Sequence, residues 1–199
     1  MKSLLGYSLL SLFALIAGCL SALWATGLLR FIEPAGFTDI NVENWKSDAS
    51  IGSSSANPYT RARVARYGLL ALSKQEAIYF TRSTDNQNDP LSEHCRYALS
   101  GGNQDALWWS ITLYDAESRL PLNDDNALSI DATTLGAFDK WTAIIAPVHP
   151  GSGPWISSRA AGQFDLTLRL YRPAASLLDN PKQFLNAPSL RKIDCEAAS

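Results

Sequence analysis

Four side chains in two strand-like runs could form a binding surface. Trp108 and Tyr114 lie in ALWWSITLYD, and Arg169 and Tyr171 lie in QFDLTLRLYRP. Trp and Tyr rings on an exposed sheet face would bind a sugar or another small ligand, whereas a pocket lined by all four residues would favour an enzyme. The bland alternatives are a structural salt bridge for Arg169 and a face covered by a helix. Asp105, Asp115 and Asp165 are the acids nearest to strands. Paired carboxylates could serve glycoside chemistry, but each of the three reads as a turn or solvent-facing residue.

Other chemistry is thin. The histidines, His94 and His149, are 55 residues apart in loop-like contexts, and the cysteines are Cys19, Cys95 and Cys195. These cannot assemble a closely spaced zinc site or a cupin-like metal cluster, so no metal and no cofactor is expected. There is no G-x-S-x-G elbow, P-loop or G-x-G-x-x-G. The pattern leans away from an enzyme. With a net charge of -2 there is no basic excess for nucleic acid.

Cys95 and Cys195 lie outside the apolar N-terminal run, and in an oxidising compartment such a pair is joined. A loop of about 100 residues makes this crosslink worth roughly 4–5 kcal/mol at most. The alternative is a Cys95 thiol activated by His94, but neighbours on a strand point to opposite faces.

The elements that must position these residues follow from periodicity. From Ser3 to Leu29 no residue is charged, and at 1.5 Å per residue this run outspans the roughly 30 Å hydrocarbon core. Lys2 and the α-amino group precede it, which favours a cytoplasmic leading end and a translocated domain. An uncleaved signal anchor is the first reading, with Trp24 suited to the outer interface. A cleaved signal peptide is the second, although no clean A-x-A site follows. The third is a lipoprotein anchored at Cys19, because IAGC (16–19) looks like a lipobox, although Leu20 to Leu29 stays apolar. All three place the domain outside the cytoplasm; the first puts it in the periplasm, anchored in a bacterial inner membrane.

The division expected is an anchor over 1–30, a tether over 31–57 and a domain over 58–199. Asn57 and Pro58 read as N-cap and N1 of a helix over 58–72, with Ala62, Ala65, Leu69 and Leu72 as its apolar stripe. Arg61, Arg63 and Arg66 give it a basic side, and Gly68 weakens its continuity. EAIYFTR, HCRYALSG, ALWWSITLYD, LSIDATTL, KWTAIIAPV and QFDLTLRLYRP read as strands, followed by a short helical or irregular tail broken by Pro181 and Pro188. Trp109, Ile111 and Leu113 share one face of their strand; Trp108, Ser110, Thr112 and Tyr114 share the other. Phe164, Leu166, Leu168 and Leu170 alternate likewise with Asp165, Thr167, Arg169 and Tyr171. The fold class expected is mainly β, an antiparallel β-sandwich or jelly roll with one helix packed on it, preceded by a single transmembrane helix.

NPYTRARVARYG (57–68), CRYALSG (95–101), WWSITLYD (108–115) and FDLTLRLYRP (164–173) together resemble the DUF1214 family of bacterial envelope proteins. The resemblance runs from about Trp45 to Arg191. GPWISS (153–158) departs from it by lacking a proline soon after the tryptophan. What it implies is a β-rich, jelly-roll-like domain with no established activity, cofactor or catalytic residue. It also implies a possible protein partner of the DUF1254 type, since that domain precedes this one in longer chains. The functional expectation is a membrane-anchored envelope module that binds a partner protein or small ligand. The alternative is an envelope enzyme acting on a glycan or small molecule.

Overall fold

The computed structural model describes residues 2–25, 40–53, 56, 58–66, 72–136 and 139–195. The first element is helix α1 (Lys2–Ala25). Its central Gly6–Trp24 stretch of 19 residues spans about 28 Å and is long and apolar enough to cross a membrane. Tyr7, Leu10 and Phe13 are each at least two-thirds exposed, so the apolar surface of this helix lacks a protein cover.

The rest is mainly β. A six-stranded sheet has the order β1 (Ile40–Val42), β2 (Trp45–Ser47), β3 (Ala77–Arg82), β9 (Phe164–Pro173), β5 (Ala106–Asp115) and β6 (Ser129–Asp131). A four-stranded sheet has the order β10 (Ser189–Cys195), β4 (Cys95–Gly101), β7 (Trp141–Ala146) and β8 (Trp155–Ser157). Every pair is antiparallel except β7 with β8, which run parallel through Ile144↔Trp155 to Ala146↔Ser157. That pair departs from the all-antiparallel expectation.

Both sheets contribute to one core. From the six-stranded sheet come Phe80, Trp109, Ile111, Leu113, Leu166 and Leu168; from the other come Tyr97, Leu99, Ala143, Ile145, Ile156 and Leu190. Ring pairs bridge the sheets. Trp109 stacks on Trp141 at 5.1 Å and 22°, and Tyr97 meets Phe164 edge-on at 5.9 Å. The Trp109 stack requires a glycine: a Cβ on Gly101, the cross-strand partner of Trp141, would lie 2.5 Å from the Trp141 ring. The side-chain period of two thus places Trp109, Ile111 and Leu113 inside, as their alternation predicts.

Three expectations change. Residues 40–47, read as tether, form a hairpin whose two-residue turn, Glu43-Asn44, has positive φ at both positions. Trp45 at its end is fully buried, with its indole N–H donating to the Pro188 carbonyl at 2.7 Å. LSIDATTL is a strand only to Asp131, whose carboxylate then caps helix α3 (Ala132–Leu135) by accepting from the N–H groups of Thr133 and Thr134. The tail expected after Pro173 contains α4 (Ala175–Asp179), α5 (Pro181–Phe184) and the paired strand β10. SLRKIDC carries few apolar residues because it is an edge strand whose burial rests on Leu190. The helix expected over 58–72 is described as α2 (Pro58–Arg66); residues 67–71, with Gly68, lie outside the described residues, and Leu72, expected to close the helix, is not helical. Among its described side chains Thr60 and Val64 are buried, whereas Ala62 and Ala65 of the expected apolar stripe are exposed.

Cys95 and Cys195 are disulfide-bonded across directly paired positions of β4 and β10, 100 residues apart in sequence. His94 is exposed in the turn before β4 and not on the strand as expected; the Cys95 sulfur is taken up in the disulfide, which leaves it no thiol to activate. Beside this edge, Lys192 reaches Asp89 at 2.5 Å and the buried Asp85 at 3.4 Å.

Candidate functional site

The outer face of the central strands carries the residues singled out by their spacing. Across β5 and β9 the register sets Trp108 opposite Tyr171, Ser110 opposite Arg169, Thr112 opposite Thr167 and Tyr114 opposite Asp165. On the far side of β9, Tyr79 stands opposite Arg169, and Thr81 opposite Thr167. The four predicted side chains therefore share one face, and they meet as two pairs. The Trp108 and Tyr171 rings lie 5.4 Å apart, tilted by 54°. The Arg169 guanidinium lies over the Tyr114 ring at 5.3 Å and donates to the Tyr114 hydroxyl. It also donates to Thr112 Oγ1 at 3.0 Å. All four are partly buried.

Arg169 was the residue whose bland role was a salt bridge. Its partners are instead hydroxyls, and among the described residues no carboxylate pairs with it. Two hydroxyls orient the fork without cancelling its charge. Among the described residues the helical contact at the Trp108 end comes from α3: Trp108 Nε1 donates to Thr133 Oγ1 at 2.9 Å.

Of the three acids near strands, Asp115 is the turn residue it was taken for, accepting from the N–H groups of Glu117 and Arg119. Asp105 is exposed. Asp165 is different. Burial, then the neighbouring charge of Asp115, push its carboxyl up from 3.8 to about 7. No hydrogen bond to its carboxylate exists among the described residues to offset that. On the same face, burial raises the Tyr79 hydroxyl, and the nearby Tyr171 adds to this while Arg169 opposes it.

Sequence reasoning missed Tyr79 and Arg82. EAIYFTR announced a strand, but which face Tyr79 occupies depends on its partner strand. Arg82 is 1% exposed and its guanidinium is held by the carbonyls of Thr84 and Pro188 and by Asn86 Oδ1. Burial holds its pKa below the usual value, opposed by Asp85 and Glu43. Nothing local distinguishes it from a surface arginine. His149 lies in an exposed loop with its ring edge-on to Trp155 at 4.9 Å. Among the described residues no group of three or more His, Cys, Asp or Glu side chains converges to hold a metal ion.

The fold and this face define a β-rich domain with two sheets on a shared core and an aromatic, cationic outer surface. The chain belongs to the DUF1214 family, proteins of unknown function, whose model matches residues 76–175. That stretch contains β3 to β9 and all four predicted surface residues. Among solved structures the chain is similar to the VPA0106 protein from Vibrio parahaemolyticus, with a TM-score of 0.56 and 18% identity, covering 70% of this chain and 36% of that one. An uncharacterised protein from Burkholderia cenocepacia is a weaker match, with a TM-score of 0.41 and 14% identity over 59% of this chain and 29% of that one. The chain thus spans about a third of the length of these solved proteins. No curated protein matches it.

Proposed function

We propose that this protein is a binding or accessory module of the bacterial cell envelope, held at the inner membrane by α1 with its β domain in the periplasm. The observation that carries the binding role is Arg169: a partly buried guanidinium over the Tyr114 ring, on the same face as the Trp108–Tyr171 pair, that no carboxylate neutralises among the described residues. Such a group favours an anionic or hydrogen-bonding ligand surface, from a partner protein or a small molecule. The apolar helix supports the anchored location, and the disulfide fits an oxidising compartment. A lipid anchor at Cys19, which is exposed and free, is the alternative attachment. The two sheets with a common core are read as the halves of a β-sandwich of jelly-roll type, the anchor as 1–30, and a DUF1254-type protein as the envelope partner to look for.

Affinity capture from detergent-solubilised membranes at near-native expression tests this. The full chain should retain a specific partner that Arg169→Met loses. Recovering no partner, or the same partner with the variant, counts against the reading.

A second reading has one observation in its favour. Asp165, poised near 7 on the same face as Tyr114 and Arg169, has the proton affinity wanted in a general base or acid at neutral pH. An envelope enzyme acting on a glycan or small molecule would use it so. Substrate turnover that follows a titration near 7 and disappears in Asp165→Asn would favour the enzyme over the binding module.

A further inference from the structure

A second site lies at the other edge of the six-stranded sheet. β3 meets β2 through a single register pair, Lys46↔Thr81, so among the described residues Ile78–Phe80 have no strand partner on that side. The gap is closed by β1, by the turn after β2 and by α4 and α5. It leaves a cavity of about 330 Å³ lined by Ile40, Ile51, Ile78, Phe80, Leu177 and Leu178. An apolar cavity of 150 Å³ holds one benzene, so this one holds roughly 13 non-hydrogen atoms.

Its polar boundary is formed by Lys74, Lys182, Asp48 and Asp179. Asp48 already accepts from the Ser50 backbone N–H at 2.7 Å and from the Ser50 hydroxyl at 2.6 Å. Asp179 is exposed to water. Neither lysine has an ion-pair partner among the described residues. Lys74 is also partly buried, so a negative group brought beside it gains more than one held at the surface.

We propose that this cavity binds a single-chain anionic amphiphile, with its alkyl chain among Ile40, Ile78 and Leu177 and its head group at Lys74. The size selects one chain of about ten carbons and excludes a two-chain phospholipid. The proposal stands on the cavity alone. The membrane reading adds a source: Ile40 follows the end of α1 by fifteen residues, a reach of at most about 50 Å.

The full chain in phosphatidylcholine nanodiscs is titrated calorimetrically with decanoate, with empty nanodiscs as the blank. Saturable binding above the blank is expected. Leu178→Trp, which fills the cavity, should abolish it. Lys74→Glu at the boundary should weaken decanoate about fivefold. Decyltrimethylammonium should bind wild type more weakly than decanoate. Binding no greater than the blank overturns the site. So does wild-type binding in a Leu178→Trp protein that retains its disulfide; wild-type binding in Lys74→Glu overturns the assignment of the head group to Lys74. Equal affinity for the two head groups overturns the assignment to Lys74. Capture of a partner through Arg169 is unaffected by any of these outcomes, because among the described residues neither Lys74 nor Leu178 contacts Arg169, Tyr114, Trp108 or Tyr171.

Discussion

Replacing Asp165 by Asn should stabilise the protein in alkaline solution and leave it nearly unchanged in acid. The folded carboxyl binds its proton up to about 7, against an ordinary value of 3.8 in the unfolded chain. Between those two values the folded state holds the extra proton, so wild-type stability falls as pH rises from about 4 to 7 and levels off above. At about 1.4 kcal/mol for each pKa unit, the gap gives a ceiling of about 4 kcal/mol. Water at the exposed edge of Asp165 screens part of this, and about 2 kcal/mol is the working expectation. Asn keeps the shape and cannot ionise. Urea unfolding of the full chain in detergent micelles, followed by tryptophan fluorescence, should give equal midpoints for the two proteins at pH 4. By pH 8 the variant should lead by about 2 kcal/mol, rising through the interval between. Asp115→Asn should shrink that lead, because Asp115 supplies the second push on Asp165 while its turn needs only an acceptor oxygen. A difference between Asp165→Asn and wild type that does not vary with pH would refute the reasoning.

Replacing both Cys95 and Cys195 by Ser opens a 100-residue loop and should cost up to about 4–5 kcal/mol in urea unfolding, with β10 as the first element to exchange amide hydrogens; a loss under 1 kcal/mol would show the edge to be held by its other contacts. Gly101→Ala puts a methyl against the Trp141 ring and should destabilise by about 1–3 kcal/mol while lowering the near-ultraviolet signal of the Trp109–Trp141 stack. Arg82→Met takes the guanidinium from the Thr84 carbonyl and leaves the Pro188 carbonyl with only the Trp45 indole, and should cost about 1–3 kcal/mol, measured by thermal unfolding; an unchanged midpoint would mean water replaces the guanidinium. The Arg159 and Ser157 hydrogen bonds to Asp125, and the Ser73 bonds to Glu76, hold those carboxyls below their ordinary values. Their stabilisation is present above about pH 4 and is lost on acidification below it, so Asp125→Asn should flatten the acid limb of the stability curve without affecting the limb set by Asp165.

The sequence by itself determined the strands that carry the core. In β5 and β9 the alternation of apolar and polar residues has the same period as the pleat, so each side chain's face follows from its position alone. That is why Trp109 could be assigned inward and Trp108 outward, and why Trp108, Tyr114, Arg169 and Tyr171 reach one face. The cysteine pair was legible because two thiols in an oxidising context leave one pairing. Tertiary structure decided what periodicity cannot carry. β1 and β10 are edge strands and β2 is a three-residue strand beside β1, and their stability comes from neighbours: Trp45 of β2 is buried with its indole N–H satisfied by the Pro188 carbonyl, and β10 is held by one leucine and a disulfide. The identity of Arg169's partners, the proton held by Asp165 and the cavity beside β3 all depend on segments far apart in the chain, from about 50 residues for Asp165 and Asp115 to about 140 for Ile40 and Lys182. Burial and local charge set those properties, and both arise only when the sheets assemble.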